Sequence, residues 1–413
     1  MNSWNVVEVP SIDSEIIFPV LSLTNSASGK KEQVERKPLY RMYVCGITPY
    51  DATHLGHAAT YLTFDLINRY LTASGSEVRY VQNITDIDDP LLERANRDGI
   101  DWTVLAHQQI DLFRSDMINL GVIPPAHYIG AVDAIPLVTA AIEKLSAKDS
   151  IYSVDQDLYF KVYADSDFGN RSHLSNDEML KIFSERGGDP ARAGKQDPLD
   201  CLVWMSQRPN EPGWPSPFGI GRPGWHIECT AIAIEYLKPS PTEDSLIDIQ
   251  GGGSDLIFPH HEMCAAQARV LSGKPLASTY VHAGMIGLDG EKMSKSKGNL
   301  VFVSTLVSAG RDPMAIRWAL MKDHYREDRM WTEELLLAAE GELTALRSAL
   351  SQSEVAPTKD LIRAIIDSLA NDLDTNTVTA SINSWVRLTQ SGATGGDAKS
   401  LVTALDALMG LNI

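Results

Sequence analysis

Long apolar runs are missing from this chain. No hydrophobic stretch approaches the roughly 18 residues that a membrane span needs, so no membrane association is expected. The first residues, MNSWNVVEVPSIDSE, lack a basic stretch leading into an apolar core. No export signal is therefore expected, and the cytoplasm is the expected compartment. Cysteine is scarce, and four in 413 residues cannot build a disulfide framework. Metal binding or catalysis is the better use for thiols in a chain without an export signal. Positive charge is short as well. Lys and Arg number 36 against 54 Asp and Glu, a formal net charge of −18. That disfavours a broad nucleic-acid footprint, because phosphate binding draws on Lys and Arg. What remains, 44% hydrophobic and 22% charged residues, is the balance of an ordinary globular protein.

Residues 1–38 read as an irregular lead-in. LYRMYVCG at 39–46 is β-rich, and EVRYVQNIT at 77–85 is a second strand. Between them Leu55, Ala58, Ala59, Leu62, Leu66, Ile67 and Tyr70 recur at helical spacing. Strand, helix and strand at this spacing form a βαβ unit, so the fold class is α/β with a parallel sheet. Residues 90–145 read as helical, 150–163 alternate like β structure, and 164–200 are polar and rich in Gly and Asp. The sheet domain is thus expected at 39–300, interrupted by an insertion at about 100–200. LIDIQ at 246–250 is another buried strand, with GGGSD after it and a helix from about Pro259. TYVHAGMIG at 279–287 is a further strand candidate. A helical connecting region at 301–343 and a short helical bundle at 344–413 complete the expected organisation.

Two short motifs carry phosphate chemistry. His54-Leu-Gly-His57 falls where a strand gives way to a helix, whose free N–H groups and dipole attract phosphate. Gly56 would let a nucleotide approach the backbone. Two imidazoles there can donate hydrogen bonds to a developing pentavalent phosphate. KMSKS at 292–296, followed by KGN, places Lys292 and Lys295 in a loop able to reach a triphosphate and move with it. In this order and separation the pair resembles the signature motifs of class I aminoacyl-tRNA synthetases. The resemblance implies a Rossmann-like sheet, ATP with Mg²⁺, and an aminoacyl-adenylate. It also implies that His54 and His57 stabilise the transferring phosphate and that Lys295 holds the pyrophosphate.

The cysteines then gain meaning. Cys45 lies just before the histidine box, Cys229 lies in PGWHIECTAIA, and PHHEMC holds His260, His261 and Cys264. Thiolate and imidazole are zinc ligands, and three protein ligands leave a fourth position open. An open zinc beside an adenylate pocket can hold a substrate's thiolate. It would separate cysteine from serine, which shape alone does poorly. Cys201, in LDCLVW, reads as a small buried hydrophobe.

VCG, NITDIDD, GRPGWHIEC and GGGSDLIFPHHE together resemble cysteinyl-tRNA synthetase. That resemblance implies one zinc held by Cys45, Cys229 and His260. Cys264 sits where that synthetase has Glu, one helical turn from His260, either as a fourth ligand or as a bystander. ITPYDATHLGHAATY and ERGGDP, however, are similar to the mycothiol-pathway cysteine ligases, and the likeness spans nearly the whole chain. It implies L-cysteine, ATP and 1D-myo-inositol 2-amino-2-deoxy-alpha-D-glucopyranoside as partners, no nucleic acid, and a monomer. It carries cysteinyl-adenylate contacts onto Cys45, Gly46, Ile47, Thr48, Thr60, Asn83, Ile84, Thr85, Trp225, Gly253, Ser254, Asp255 and Ile286. The tail agrees: from Thr344 on, five basic and seven acidic residues make a poor platform for RNA.

Two other function classes stay open at this level, a cysteinyl-tRNA synthetase and a non-catalytic cysteine or adenylate sensor. So does the role of Glu185, Arg186 and Asp189, which either line a sugar pocket or form a turn stapled by Arg186 and Asp189. Asp51 and Glu228 are candidate bases by type and position.

Overall fold

The computed structural model describes residues 1–413 apart from 14, 51, 52, 289 and 294–297, and only the backbone of Lys292. Its centre is a five-stranded sheet. The strands are β1 (Leu39–Val44), β2 (Glu77–Ile84), β3 (His127–Gly130), β4 (Ile247–Gly253) and β5 (Ala277–Ala283). They lie in the order β5-β4-β1-β2-β3, and every pairing is parallel. Chain order reverses between β1 and β4, the switch point where doubly wound sheets bind ligands. β1 is buried along nearly all its length, Arg41 included, whose guanidinium pairs with Asp248 of β4 at 3.0 Å.

Helix α1 (Leu55–Ala73) crosses from β1 to β2. It packs so closely on β4 that a Cβ at Gly251 would lie 2.2 Å from the Phe64 ring. The glycines after LIDIQ therefore complete β4 instead of forming a loop, and Gly251 is the one that admits α1. HYIG at 127–130, inside a stretch that reads as helical, forms the edge strand β3. Helix α2 (Trp225–Tyr236) and helix α3 (Glu262–Ser272) pack on the sheet's other side.

A separate antiparallel sheet of four strands spans Ile151–Val154, Asp157–Phe160, Cys201–Ser206 and Gly221–Pro223. Its helix Asn176–Glu185 starts on a capping box of Ser175 and Glu178. A small third sheet joins Ile286–Leu288, Glu291–Lys292 and Arg329–Trp331. The lead-in contains a hairpin, Ser22–Asn25 with Lys30–Gln33. The tail helices Lys359–Ala370, Thr375–Gln390 and Ala398–Met409 share one core with α1. No described helix is long and apolar enough to cross a membrane.

Charge buried in that core ties the tail to α1. Asp65, inaccessible in α1, pairs with Arg69 at 2.8 Å and with Arg317. Arg69 also donates to the carbonyls of Asp406 and Gly121, each at 2.7 Å. Arg317 donates to Met409 at 2.7 Å and Leu120 at 2.8 Å. Removing the shared carboxylate strands two buried guanidiniums, a loss of about 3–5 kcal/mol. Asp65→Asn should therefore cost at least about 3 kcal/mol in urea denaturation. A loss below about 1 kcal/mol would show that water reaches the network.

Candidate active site

The ends of β1 and β4 fix the first thiol. The Cys45 amide donates to the Gly251 carbonyl at 3.0 Å, at the switch point. Cys229 comes from α2, and His260 from the irregular segment before α3. The two sulfurs are 3.9 Å apart. With a ring nitrogen of His260, the three donor atoms lie within 4.8 Å of one another, and all three residues are buried. Burial raises the Cys45 thiol well above its ordinary pKa. Burial opposes ionisation of Cys229 too, but the Cys45 thiol and His260 outweigh it and hold Cys229 well below. Two sulfurs and an imidazole in a dry pocket are the donor set zinc takes, so these residues fit such an ion. Cys264 stands aside from that trio. Its thiol is 3.8 Å from His260 Nε2 and donates to the His226 carbonyl at 3.2 Å.

A second layer of imidazoles surrounds the trio, and only part of it was visible in the sequence. His226 Nδ1 lies 3.0 Å from His260 Nδ1, which leaves Nε2 for a metal. His261 Nε2 lies 3.2 Å from the Cys45 sulfur and 3.0 Å from Gln250 Nε2. His261 Nδ1 lies 2.7 Å from His282 Nε2, and His282 Nδ1 meets Ser26 Oγ at 2.8 Å. Such outer partners fix ligand orientation. The doubled histidine of PHHE and the histidine of WHIEC were the available signals.

The histidine box sits on the adjoining turn. His54 caps α1, its Nδ1 accepting from the Gly56 amide at 3.1 Å. Its ring stacks on His57 with centroids 3.7 Å apart. A Cβ at Gly56 would come within 2.9 Å of the His54 ring, so this glycine serves the cap itself. Burial, and then His54, holds His57 well below the ordinary imidazole pKa. His57 is therefore a neutral donor at pH 7. The segment after KMSKS returns to this box: Leu55 N donates to Val301 O at 2.9 Å, and Val303 N to Thr53 O at 3.1 Å. Lys295, Asp51 and the Lys292 side chain lie outside the described residues.

The other expected contacts converge on the same strand ends. A Cβ at Gly46 would strike the Asn83 carbonyl at 1.7 Å, and the Gly46 amide donates to Asn83 Oδ1 at 2.8 Å. Thr85 N donates to Ile47 O at 3.0 Å, and Asn83 Nδ2 to Thr85 Oγ1 at 3.2 Å. Ile84 is buried at the end of β2, and Thr48 is half-buried in the turn after β1. Thr60 donates to the Gly56 carbonyl at 3.1 Å. Gly253, Ser254 and Asp255 leave β4 in a short 3-10 turn. Trp225 stacks on His260, with centroids 4.4 Å apart. Ile286 is buried in the main hydrophobic core, which gives it a packing role.

Glu228 is buried, with Oε2 unpartnered. Burial, followed by Cys229, Asp88 and Asp86, holds it well above the carboxylate range. In the ERGGDP turn the staple is absent. Arg186 donates to the carbonyls of Asp255 and Phe258, while Asp189 accepts from Tyr159 and from Lys195 at 3.0 Å.

Residues 31–341 match the family model described as the tRNA synthetases class I (C) catalytic domain. The chain belongs to the class I tRNA synthetase family. Among curated relatives of this class I chain is the "L-cysteine:1D-myo-inositol 2-amino-2-deoxy-alpha-D-glucopyranoside ligase" of Kribbella flavida. It is 52% identical over 417 residues, covering 100% of both chains. The protein of that name from Streptomyces coelicolor is 50% identical over 415 residues, with the same coverage. Mycobacterium tuberculosis methionyl-tRNA synthetase in complex with methionyl-adenylate superposes with a TM-score of 0.63 at 16% identity. The match covers 91% of this chain and 89% of that one. The LeuRS of Agrobacterium radiobacter K84 superposes at 0.61 with 12% identity, over 90% and 83% of the two chains. The fold is thus the expected class I α/β architecture.

Burial also sets the pH response of this class I fold. His57, His226 and His261 are held well below the ordinary imidazole value, and His282 is pushed down to about 3, in each case chiefly by burial. His260 shifts upward, because the neighbouring Cys264 and Cys229 outweigh its burial. At those four rings the unfolded chain binds more protons as the solution acidifies. Their stability contribution is complete above about pH 6.5 and is lost as pH falls toward the folded values. Asp86 and Asp88, pushed up to about 6, and Asp116, pushed up to about 7, each chiefly by burial, take up protons in the folded state over the same range and offset that loss. The rings are therefore read singly: in metal-free protein the imidazole NMR signals of His57, His226 and His261 should titrate below about pH 6.5. A ring titrating at or above that pH would contradict neutral, buried rings.

Proposed function

We propose that this chain is an ATP-dependent ligase that joins L-cysteine, through a cysteinyl-adenylate, to the 2-amine of glucosaminyl-inositol. The observation that carries the cysteine half is that the end of β1 runs from Cys45, one of the buried trio, directly into the histidine box. The acceptor is carried over from the names of relatives about half identical over the full chain.

In the first step the cysteine carboxylate attacks the α-phosphorus of ATP and pyrophosphate leaves. His54 and neutral His57 would donate to the phosphate as charge builds there. Lys292 and Lys295 would neutralise the departing pyrophosphate, with Mg²⁺ entering alongside ATP. A zinc ion held by Cys45, Cys229 and His260 would supply a soft Lewis-acid position for the substrate's sulfur. Trp225 would form the wall beside it, over His260. Asp255, Thr48, Thr60 and Thr85 would accept or donate along the amino acid and ribose. Gly46, Ile47, Asn83, Ile84, Gly253 and Ser254 would shape the floor on which the adenylate lies. In the second step the neutral amine attacks the activated carbonyl carbon. AMP departs, the nitrogen loses a proton, and an amide results. The cytoplasm supplies ATP and reduced cysteine and is the proposed compartment.

The test is AMP release with cysteine and ATP, run in parallel with the amino sugar and with tRNA for cysteine, the product being identified by mass. Turnover with the amino sugar alone is expected. Charging of tRNA instead would replace this reading with that of a cysteinyl-tRNA synthetase. Cys45→Ser should lower both zinc content and cysteine-dependent ATP–pyrophosphate exchange, the latter at least about 100-fold. Unchanged exchange would remove Cys45 from the site.

A further inference from the structure

His260 hangs from irregular backbone. After β4 the chain makes a 3-10 turn at Ser254–Leu256 and then a π-type turn at Ile257–His261. Inside that turn Phe258 is extended, with φ −140 and ψ 137. Carbonyls in such a segment lose their ladder partners and need others. Two of them, Asp255 O and Phe258 O, accept from one Nη of Arg186, which belongs to the inserted sheet's ERGGDP turn.

The far end of the segment is held by the same insertion. Glu262, the residue after the paired histidines, is 1% exposed. Its carboxylate accepts from Gly169 N at 3.0 Å, Ser172 N at 2.8 Å and Arg171 Nη1 at 2.8 Å. Arg171 is in turn paired with Asp165 at 3.0 Å, and Asp165 with Arg269 of α3 at 3.4 Å.

The turn itself is built to aim Arg186. Asp189 is anchored on the insertion's sheet by Tyr159 and Lys195. Gly187 takes a left-handed φ of +85, and a Cβ at Gly188 would fall 2.4 Å from the Phe183 ring. The chain can therefore double back tightly over its own helix. Asp189 grips the insertion and Arg186 grips the catalytic segment, so the two charges serve opposite ends of one link.

From this geometry we infer that the inserted sheet positions His260 by clamping its segment at both ends, and that Arg186 is the positioning residue on the near side. The inference rests on the reading of Cys45, Cys229 and His260 as a metal trio. Outer contacts that orient a metal ligand typically carry a 10–100-fold effect on metal affinity. Arg186 is exposed enough that its loss should leave the core folded.

The test is zinc affinity by chelator competition, with Arg186→Met against the parent chain and Arg186→Lys as the conservative variant. Arg186→Met should weaken zinc binding about tenfold or more. It should also raise the KM for cysteine in pyrophosphate exchange, and Arg186→Lys should recover part of both. Unchanged zinc affinity and cysteine KM would overturn the inference. A defect confined to the KM of the amino sugar would overturn it as well, and would make the turn a wall of the acceptor pocket. Failure of the parent chain to exchange pyrophosphate would count against the ligase reading alone, because zinc affinity is measured without turnover.

Discussion

The pairing of β1 with β4 is the constraint on which the rest depends. Parallel register sets Val44 against Gly251, and the next amide, Cys45, closes on the Gly251 carbonyl. At that switch point no crossover helix covers the strand ends, so side chains from both halves of the sheet can meet over a common floor. The thiol of Cys45 projects there beside Cys229 and His260, while the turn that follows it becomes the histidine cap of α1. A small amino acid laid across this floor would present its sulfur to one side and its carboxylate to the other.

Burial then gives each group its chemical character. In a dry pocket isolated charges are costly, so thiols, imidazoles and the Glu228 carboxyl are driven toward neutrality. Cys229 and His260 are pushed the other way: a second thiol and His260 face Cys229, and Cys264 and Cys229 face His260. Such a site gains most from a soft cation and little from a hard one. Around it the protein spends two structural devices on rigidity. Asp65 with two arginines locks the catalytic helix to the tail, and the inserted sheet grips the segment that bears His260.

How much of this could be read from sequence depended on how local each signal was. The first βαβ unit was legible because β1 is buried on both faces and α1 keeps its apolar spacing. The edge strand at 127–130 was not, since four residues flanked by helices carry too little pattern. The glycines of β4 read as a loop because glycine is poor in strands, and the place of Gly251 is explained only by the Phe64 ring. In the site, Cys45, His54 and His57 share one stretch and announced themselves. His226, His261 and His282 come from three elements, and their contacts exist only after folding. The ERGGDP turn was visible as an oddity of composition, but its partner carbonyls lie about 70 residues away, and nothing in either stretch points to the other.

With Cys45, Cys229 and His260 as its protein ligands, a metal would keep a position for the substrate's own sulfur. Cobalt substituted at the site reports that directly, because a thiolate joining the metal adds a sulfur-to-cobalt charge-transfer band. Titrating cobalt-loaded protein with cysteine should intensify that band, while serine should leave it unchanged. Identical spectra with both amino acids would mean that the metal sees no substrate sulfur, and that cysteine is selected elsewhere in the pocket.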